Sequence, residues 1–169
     1  DGTFLHRPKS IVALMDAKTN MIIDGIYGIS ENSEKQLISF LKPLKDRLLS
    51  PLSSTVDGNP QAIRVLKVLW PGITIQRCLV HIQRQGLKWC RTYPKRPDAK
   101  NLREIFRQVT NIRTKEDRDR FTSYVEKWEE QYGRHIAAQP EKGRVFSDTK
   151  RARSMLLKAL PDMFHYLDD

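Results

Sequence analysis

The apolar pattern of this chain changes near residue 94, and the change limits which folds the chain can adopt. Up to that point, short apolar runs alternate with segments of helical periodicity. Beyond the proline-bounded stretch 94–97, apolar residues recur every three or four positions in the segments 99–112, 115–136 and 149–166, which is typical of amphipathic helices. The pattern predicts an α/β region followed by an all-helical segment.

Two apolar runs, at residues 10–16 and 21–27, are separated by the turn-forming tetrapeptide 17–20. Strands joined by so short a polar connection favour an antiparallel hairpin. A weakly alternating strand is predicted before them, at residues 3–6.

The following segments switch between helical and strand periodicity. Residues 31–49 form a predicted helix that is capped by Asn32 or Ser33 and is broken or kinked at Pro43. The remaining elements are a strand at 52–56, a helix at 61–69 with Asn59 as its cap and Pro60 at its first position, a strand at 73–76 and a basic helix at 77–92. This order predicts a mixed sheet with helices on its faces.

The length of 169 residues corresponds to about one domain, since domains mostly have ~100–150 residues. No apolar run approaches the ~20 residues that a membrane-spanning helix needs. The two cysteines, Cys78 and Cys90, are interpreted as reduced thiols in a cytosolic protein. The chain begins at Asp1 without a Met, and we expect a fragment.

Basic residues are concentrated in one stretch. The net charge of the chain is +10, and residues 77–120 contain 13 Lys and Arg against 5 Asp and Glu, which is +8. Such a surface attracts polyanions, chiefly nucleic acid or the anionic face of a membrane. The alternative is a helix surface whose basic side chains are simply solvated.

Asp57 is the acidic residue whose position is most informative. It follows a predicted strand and precedes Gly58, which permits a sharp turn. Metal and ligand sites of open α/β sheets gather at the carboxyl ends of strands, although an Asp here can also simply cap a helix or stabilise a turn. A second carboxylate close by would favour Mg²⁺ or Mn²⁺, because two carboxylates repel each other unless a cation lies between them. The candidates for that second carboxylate are Asp1, Asp16 and Asp24.

Cys78 and His81 are three residues apart and share one face of the predicted basic helix. The pair is compatible with a zinc site, with nucleophilic catalysis, or with a small buried thiol beside a hydrogen-bonded imidazole. Zinc needs three or four ligands, and Cys90 lies about 120° further round the same helix, so this helix alone does not supply a third.

Six basic residues in or beside this helix are candidates for contacts with the phosphates of DNA. They are Arg77, Arg84, Lys88, Arg91, Lys95 and Arg96. Trp89 and Tyr93 interleave with them and are able to stack on bases, but core positions are favoured for both, as they are for Trp70 and Trp128. The chain contains no GxxxxGK[ST], GxGxxG or GxSxG motif, so nucleotide-binding and hydrolase interpretations have no support.

Three short motifs, in this order and spacing, resemble the catalytic domain of Mutator-type insertion-sequence transposases. They are Asp-Gly-Thr-Phe-Leu at residues 1–5, Val-Asp-Gly-Asn at 56–59 and Gln-Arg-Cys-Leu-Val-His at 76–81. The resemblance covers most of the chain. It implies an α/β fold of the ribonuclease-H-like type, with a mixed sheet and an all-helical insertion or extension, and an active site of the DDE type.

The resemblance also implies roles for individual residues. Asp1 and Asp57 would be the first two catalytic carboxylates, and they would bind Mg²⁺ or Mn²⁺. Cys78 and His81 match a C-x-x-H signature, whose role we take to be structural or supporting, close to the site. Residues 1–93 would form an incomplete ribonuclease-H-like core, and residues 94–169 would form the helical insertion.

The third carboxylate of that family, a Glu after the insertion, has no match in this chain, which ends Tyr166-Leu167-Asp168-Asp169. We therefore expect a fragment that is inactive alone. In the full-length protein it would cleave phosphodiesters and transfer strands during DNA transposition, with transposon ends and target DNA as partners and no membrane partner. The resemblance further implies a homo-oligomer in the cytoplasm of a prokaryote, associated with the nucleoid. The alternatives are a non-catalytic nucleic-acid-binding module of the same fold and a different metal-dependent nuclease of that fold.

Overall fold

The computed structural model describes the backbone of residues 2–6, 9–138 and 144–168, and the side chains of residues 10–138 and 148–168. The chain forms two compact units, Asp1–Ile75 and Gln76–Asp169, which we call unit 1 and unit 2. The predicted division into residues 1–93 and 94–169 concerns which residues make a catalytic core, and it stays a prediction.

Unit 1 begins with a three-stranded antiparallel sheet in the order β1 (Gly2–His6), β2 (Lys9–Met15) and β3 (Ile22–Ile29). The predicted hairpin is confirmed, because β2 and β3 pair directly with Val12 opposite Ile26. Along β3 half-buried side chains alternate with exposed ones, whereas residues 11–14 of β2 are all half-buried and only Val12 and Leu14 of them pack against the core.

Two helices and two short strands complete unit 1. They are α1 (Glu34–Asp46), β4 (Ser53–Val56), α2 (Pro60–Leu69) and β5 (Thr74–Arg77), whose last two residues fall in unit 2. Ser33 caps α1 by accepting a hydrogen bond from the backbone N–H of Gln36, as predicted.

Helix α1 runs through Pro43, so the predicted break at this position is wrong. The helix continues to Asp46, and the backbone N–H of Arg47 donates to the carbonyl of Pro43 at 3.1 Å. The proline stands in the last turn, where few residues follow it, and the burial of Leu41 and Leu44 on either side stabilises the helix through it.

The core of unit 1 is built from apolar side chains of both helices, of β3 and β5, and of the segment between α2 and β5. Its buried members are Ile29, Leu37, Phe40, Leu41, Leu44, Val65, Leu66, Leu69, Trp70, Ile73 and Ile75. Val12, Leu14 and Ile26 of the sheet pack against it. Trp70 is a core residue as predicted, and its indole N–H donates to the carbonyl of Leu49 at 2.8 Å.

Unit 2 is helical after β5, and no further strand occurs in its described residues. Its helices are α3 (Leu79–Cys90), α4 (Pro97–Gln108), α5 (Lys115–Trp128), α6 (Arg134–Ala138) and α7 (Arg144–Ala159). Helix α3 packs against both α4 and α7. The predicted all-helical character of this part is confirmed.

The predicted helix limits in unit 2 need three corrections. Arg77 belongs to β5, so α3 starts at Leu79. The predicted helix 115–136 is interrupted by a π-helical turn at Glu129–Gly133. The predicted helix 149–166 ends at Ala159 and gives way to short helical turns, where the side-chain amide of Gln76 donates to the carbonyl of Met163 at 2.7 Å. That bond joins residues far apart in the sequence, and the local periodicity of apolar residues does not predict such contacts.

The described strands are hydrogen-bonded in two small sheets, β1–β2–β3 and β4–β5. The predicted α/β class is confirmed, because strands and helices are interspersed up to α3 and only helices follow. The predicted single mixed sheet is not observed in the described residues, since β1–β3 form an antiparallel sheet and β4–β5 form a separate one. None of the helices in the described residues combines the length and the apolar composition that a membrane crossing needs.

Candidate functional site

Asp57 lies directly after β4, at the start of the turn that leads into α2. It is half-buried, and its carboxylate oxygen Oδ1 accepts the backbone N–H of Asn59 at 2.8 Å. Gly58 between them has a φ of 106°, a left-handed value that strains any residue with a Cβ. The predicted position of Asp57, at a strand end beside a tight glycine turn, is confirmed, whereas its role as a ligand stays a prediction.

Asn59 joins three parts of unit 1. Its side-chain oxygen accepts the backbone N–H groups of Gln61 at 2.9 Å and Ala62 at 3.3 Å, so it caps α2 as predicted. Its side-chain amide donates to the carbonyl of Glu31 at 3.2 Å. Through these bonds the turn that contains Asp57 is fastened both to α2 and to the loop before α1.

The carboxylate of Glu31 has an unusual environment. Its oxygen Oε1 is buried and accepts no hydrogen bond in the described part of the chain. A buried oxygen without a partner costs about 1–3 kcal/mol, and more when it is charged, so a water molecule or a cation is the usual explanation. Nothing in the local sequence pattern distinguishes Glu31 from a surface residue, so its burial is not predictable from the sequence.

The other candidate carboxylates differ in what the structure allows. Asp1 lies outside the described residues. Asp16 accepts hydrogen bonds from the hydroxyl of Thr19 at 2.6 Å and the backbone N–H of Lys18 at 3.1 Å, and these bonds hold the pKa of Asp16 below its usual value. Asp24 is 3.4 Å from Arg47 in an ion pair. Asp16 and Asp24 therefore already have structural partners in the hairpin and its surroundings.

No three His, Cys, Asp or Glu side chains are grouped as a metal-binding cluster among the described residues. Mg²⁺ and Mn²⁺ prefer hard oxygen ligands, and unit 1 offers such oxygens in the half-buried carboxylate of Asp57 and in the buried oxygen Oε1 of Glu31, whose backbone carbonyl is bonded to Asn59. The chemistry of these residues is therefore compatible with a divalent cation.

In unit 2, Cys78 and His81 are in contact at the beginning of α3. The sulfur of Cys78 is 3.2 Å from Nδ1 of His81, and which atom donates depends on the imidazole tautomer. Cys78 is half-buried and His81 is exposed. The described residues bring no third ligand to the pair, so the geometry is that of a hydrogen-bonded thiol and imidazole.

Cys90, at the other end of α3, is 2% exposed, and burial raises the pKa of its thiol to about 12. Both cysteines are free, and their separation of twelve residues along a helix is about 18 Å, far beyond disulfide distance. The predicted pair of unlinked thiols is confirmed.

This contrast predicts how the two thiols react. In the native protein at pH 8, a thiol reagent is expected to modify Cys78 quickly and Cys90 only after unfolding. With its pKa raised to about 12, the thiol of Cys90 is a reactive thiolate in only ~1 molecule of 10⁴ at that pH. Counting modified cysteines by mass spectrometry against time checks this. Cys78→Ser should abolish the fast phase, and two fast modifications in the wild-type chain would contradict the assignment.

The basic residues of α3 form a row on its exposed side. His81, Arg84 and Lys88 follow one another at intervals of three and four residues, which places them on one face, and all three are exposed. Arg91 is also exposed, but it follows the helix with a φ of 63°, so helical spacing does not place it on that face. Ile82, Gly86 and Cys90 form the buried face roughly opposite. We call Arg84 and Lys88 the α3 cation pair.

The six predicted phosphate-binding residues are not in equivalent environments. Arg84, Lys88 and Lys95 are exposed and form no ion pair within the described residues. Arg91 is 3.7 Å from Asp148 in an ion pair, and half-buried Arg96 donates to the buried carboxylate of Asp98. Arg77 is half-buried on β5. Their predicted roles on DNA stay predictions.

The aromatic residues next to these cations have different positions. Trp89 is half-buried and packs against the core of unit 2. Trp128 is 4% exposed, and its indole N–H donates to the carbonyl of Asp98 at 2.9 Å. Both confirm the predicted core positions. For Tyr93 the prediction is wrong, since its side chain is 89% exposed just after α3.

Comparison with known proteins gives one match. The family model described as "Transposase, Mutator family" matches residues 14–147, which is more than half of the chain. Neither curated proteins nor solved structures give a significant match.

Proposed function

This chain belongs to the Mutator family of transposases, and from that premise we propose that it supplies two of the three catalytic carboxylates for metal-dependent cleavage and strand transfer of DNA in transposition. We propose that unit 1 is built on a ribonuclease-H-like plan, with Asp1 and Asp57 as its first two catalytic carboxylates. The observation that supports this most is the position of Asp57, half-buried at the end of β4 in a turn with positive φ at Gly58. Strand ends of this kind are where α/β folds place their ligands.

In this proposal, Asp1 and Asp57 hold Mg²⁺ or Mn²⁺, and the buried oxygen Oε1 of Glu31 is a further hard oxygen in unit 1, of the kind that such ions prefer. When bound, such ions polarise the scissile phosphate and the attacking oxygen. The protein's own contribution is to hold Asp57 in one orientation and the DNA backbone in one register, so that the reacting atoms meet without further reorganisation.

For the DNA backbone, we propose that the α3 cation pair and Lys95 make the main phosphate contacts. These side chains are exposed and have no ion-pair partner in the described residues. A phosphate contact therefore stabilises the complex without first breaking an ion pair within the protein. Arg77, Arg91 and Arg96 remain candidates for contacts with DNA. The ion pairs of Arg91 and Arg96 predict smaller contributions from these two. His81 and Cys78 are proposed as supporting residues at the start of the same helix.

We also propose that the protein acts as a homo-oligomer on transposon ends and target DNA. The free thiols of Cys78 and Cys90 support a reducing compartment, and we propose the nucleoid-associated cytoplasm of a prokaryote. A non-catalytic nucleic-acid-binding module of the same fold is the alternative function, and it would use the same cations without needing a metal.

A titration with Mn²⁺ followed by NMR tests the metal site on this chain. Mn²⁺ at low concentration is expected to broaden the backbone amide signals of residues 56–59 first, because the ion is paramagnetic and the proposed ligand is Asp57. The Asp57→Asn variant is expected to lose this broadening. Its amide oxygen is still able to accept the N–H of Asn59, so the turn is retained.

Asp46→Asn is the matched control. It removes the same charge from an exposed carboxylate whose ion pair is with Lys42, and it should leave the broadening at residues 56–59 unchanged. A wild-type chain without selective broadening at these residues would contradict the metal site and favour the non-catalytic module. Equal losses in Asp57→Asn and Asp46→Asn would mean that Mn²⁺ binds the chain only through its general charge.

A further inference from the structure

We propose that Asn59 is a positioning residue for Asp57, in addition to being the cap of α2. The inference rests on the proposed role of Asp57 and deepens it, because it says what fixes the orientation of that carboxylate. The bond between the backbone N–H of Asn59 and Oδ1 of Asp57, 2.8 Å long, is the contact through which Asn59 acts.

The turn needs such a restraint because of Gly58. Glycine adopts many backbone conformations at similar energy, so the positive φ of 106° at Gly58 does not by itself fix the chain on either side. Where the backbone of Asn59 is held therefore contributes to the orientation of Asp57. A hydrogen bond from a moving donor would let the carboxylate change rotamer.

The side chain of Asn59 supplies the restraint from two directions. Its oxygen is fixed by the first backbone N–H groups of α2, and its amide nitrogen is fixed by the carbonyl of Glu31, 28 positions earlier in the chain. The amide of Asn59 has its acceptor for the helix and its donor for the loop on two separate atoms, whereas a hydroxyl has both on one oxygen. A cap that merely stabilised α2 would need the acceptor alone.

The two functions are separable by substitution. Asn59→Ser keeps a hydroxyl that caps helices nearly as well as Asn, but it has no amide to reach Glu31. Ser33→Ala is the matched control, since it removes the cap of α1 in the same unit without touching the Asp57 turn. Ser33→Ala removes a helix cap and Asn59→Ser retains one, so Ser33→Ala should cost more stability than Asn59→Ser.

The first measurement needs no metal. The three-bond couplings that report χ1 of Asp57 are expected to show one rotamer in the wild-type chain and in Ser33→Ala, and averaged rotamers in Asn59→Ser. A single, unchanged Asp57 rotamer in Asn59→Ser would overturn the inference, whatever the outcome of the Mn²⁺ titration of the wild type.

The second measurement is the affinity for Mn²⁺ from the broadening of residues 56–58. Groups that orient a metal ligand typically change metal affinity 10–100-fold when removed, so Asn59→Ser is expected to bind Mn²⁺ about tenfold more weakly, while Ser33→Ala binds as the wild type does. Wild-type affinity in Asn59→Ser would overturn the inference. The absence of a response in the wild-type chain would overturn the metal site itself, which keeps the two failures distinguishable.

Discussion

Gly86→Ala is expected to lower the free energy of unfolding of unit 2 by roughly 1–3 kcal/mol, the usual range for overpacking a core. Gly86 lies on the buried face of α3, and a Cβ built on it would overlap the ring of Phe106 on α4. The Phe106 side chain is 0% exposed, so the ring has no solvent into which to move. Helices α3 and α4 would have to separate, which would also disturb the bond from Arg103 to the carbonyl of Leu87.

The sign of this effect is what makes the measurement decisive. In an exposed helix position, replacing Gly by Ala stabilises by about 1 kcal/mol, because glycine loses more backbone entropy on folding. Amide hydrogen exchange at Leu102 and Phe106, measured at increasing urea concentrations, reports the free energy of unfolding of unit 2 specifically. A variant as stable as the wild type, or more stable, would show that α3 and α4 do not approach as closely as described.

Two further variants make the test specific. Gly72→Ala is the control, since nothing lies within 4 Å of a Cβ at Gly72, and its stability should change little. Adding Phe106→Leu to Gly86→Ala removes the ring that the new methyl group meets. The double variant should therefore lose less stability than the sum of the two single changes.

Elements whose signals are local could be predicted from the sequence. The hairpin of β2 and β3, the cap at Ser33 and the cap at Asn59 all depend on residues within a few positions of one another. The start of α3 could not be predicted, because Arg77 is the last residue of β5, a strand whose partner β4 is not its neighbour in the sequence. Local helical periodicity contains no information on that pairing.

The same distinction between local patterns and distant contacts applies to the residues of the candidate site. The position of Asp57 could be predicted, because an Asp-Gly pair at a strand end is a local sequence pattern with a known structural meaning. The link from Asn59 to Glu31 connects residues 28 positions apart, so no local pattern contains it. Likewise, the six basic residues look alike in sequence, and only the positions of Asp98 and Asp148 separate Arg91 and Arg96 from the α3 cation pair.

Neutralising the α3 cation pair is expected to weaken DNA binding by roughly 60-fold at 0.1 M salt, with little change at 1 M salt. The estimate follows from counterion release, because each phosphate contact contributes about 0.9 to the slope of log affinity against log salt concentration. The double variant Arg84→Gln, Lys88→Gln should therefore reduce the magnitude of that slope by about 1.8. Fluorescence anisotropy with a labelled duplex at several salt concentrations measures both quantities, and duplexes of different sequence should lose affinity equally, since phosphates carry no sequence information.

The control must remove the same charge elsewhere in unit 2. Lys127 on α5 and Lys158 on α7 are exposed and form no ion pair within the described residues, so Lys127→Gln, Lys158→Gln lowers the net charge by the same two units. If the basic stretch acts only by attracting DNA from a distance, both double variants will reduce affinity and slope alike. If the row on α3 lies against the DNA backbone, only the α3 variant will lose the full slope, because counterions are released only where a cation replaces them at a phosphate.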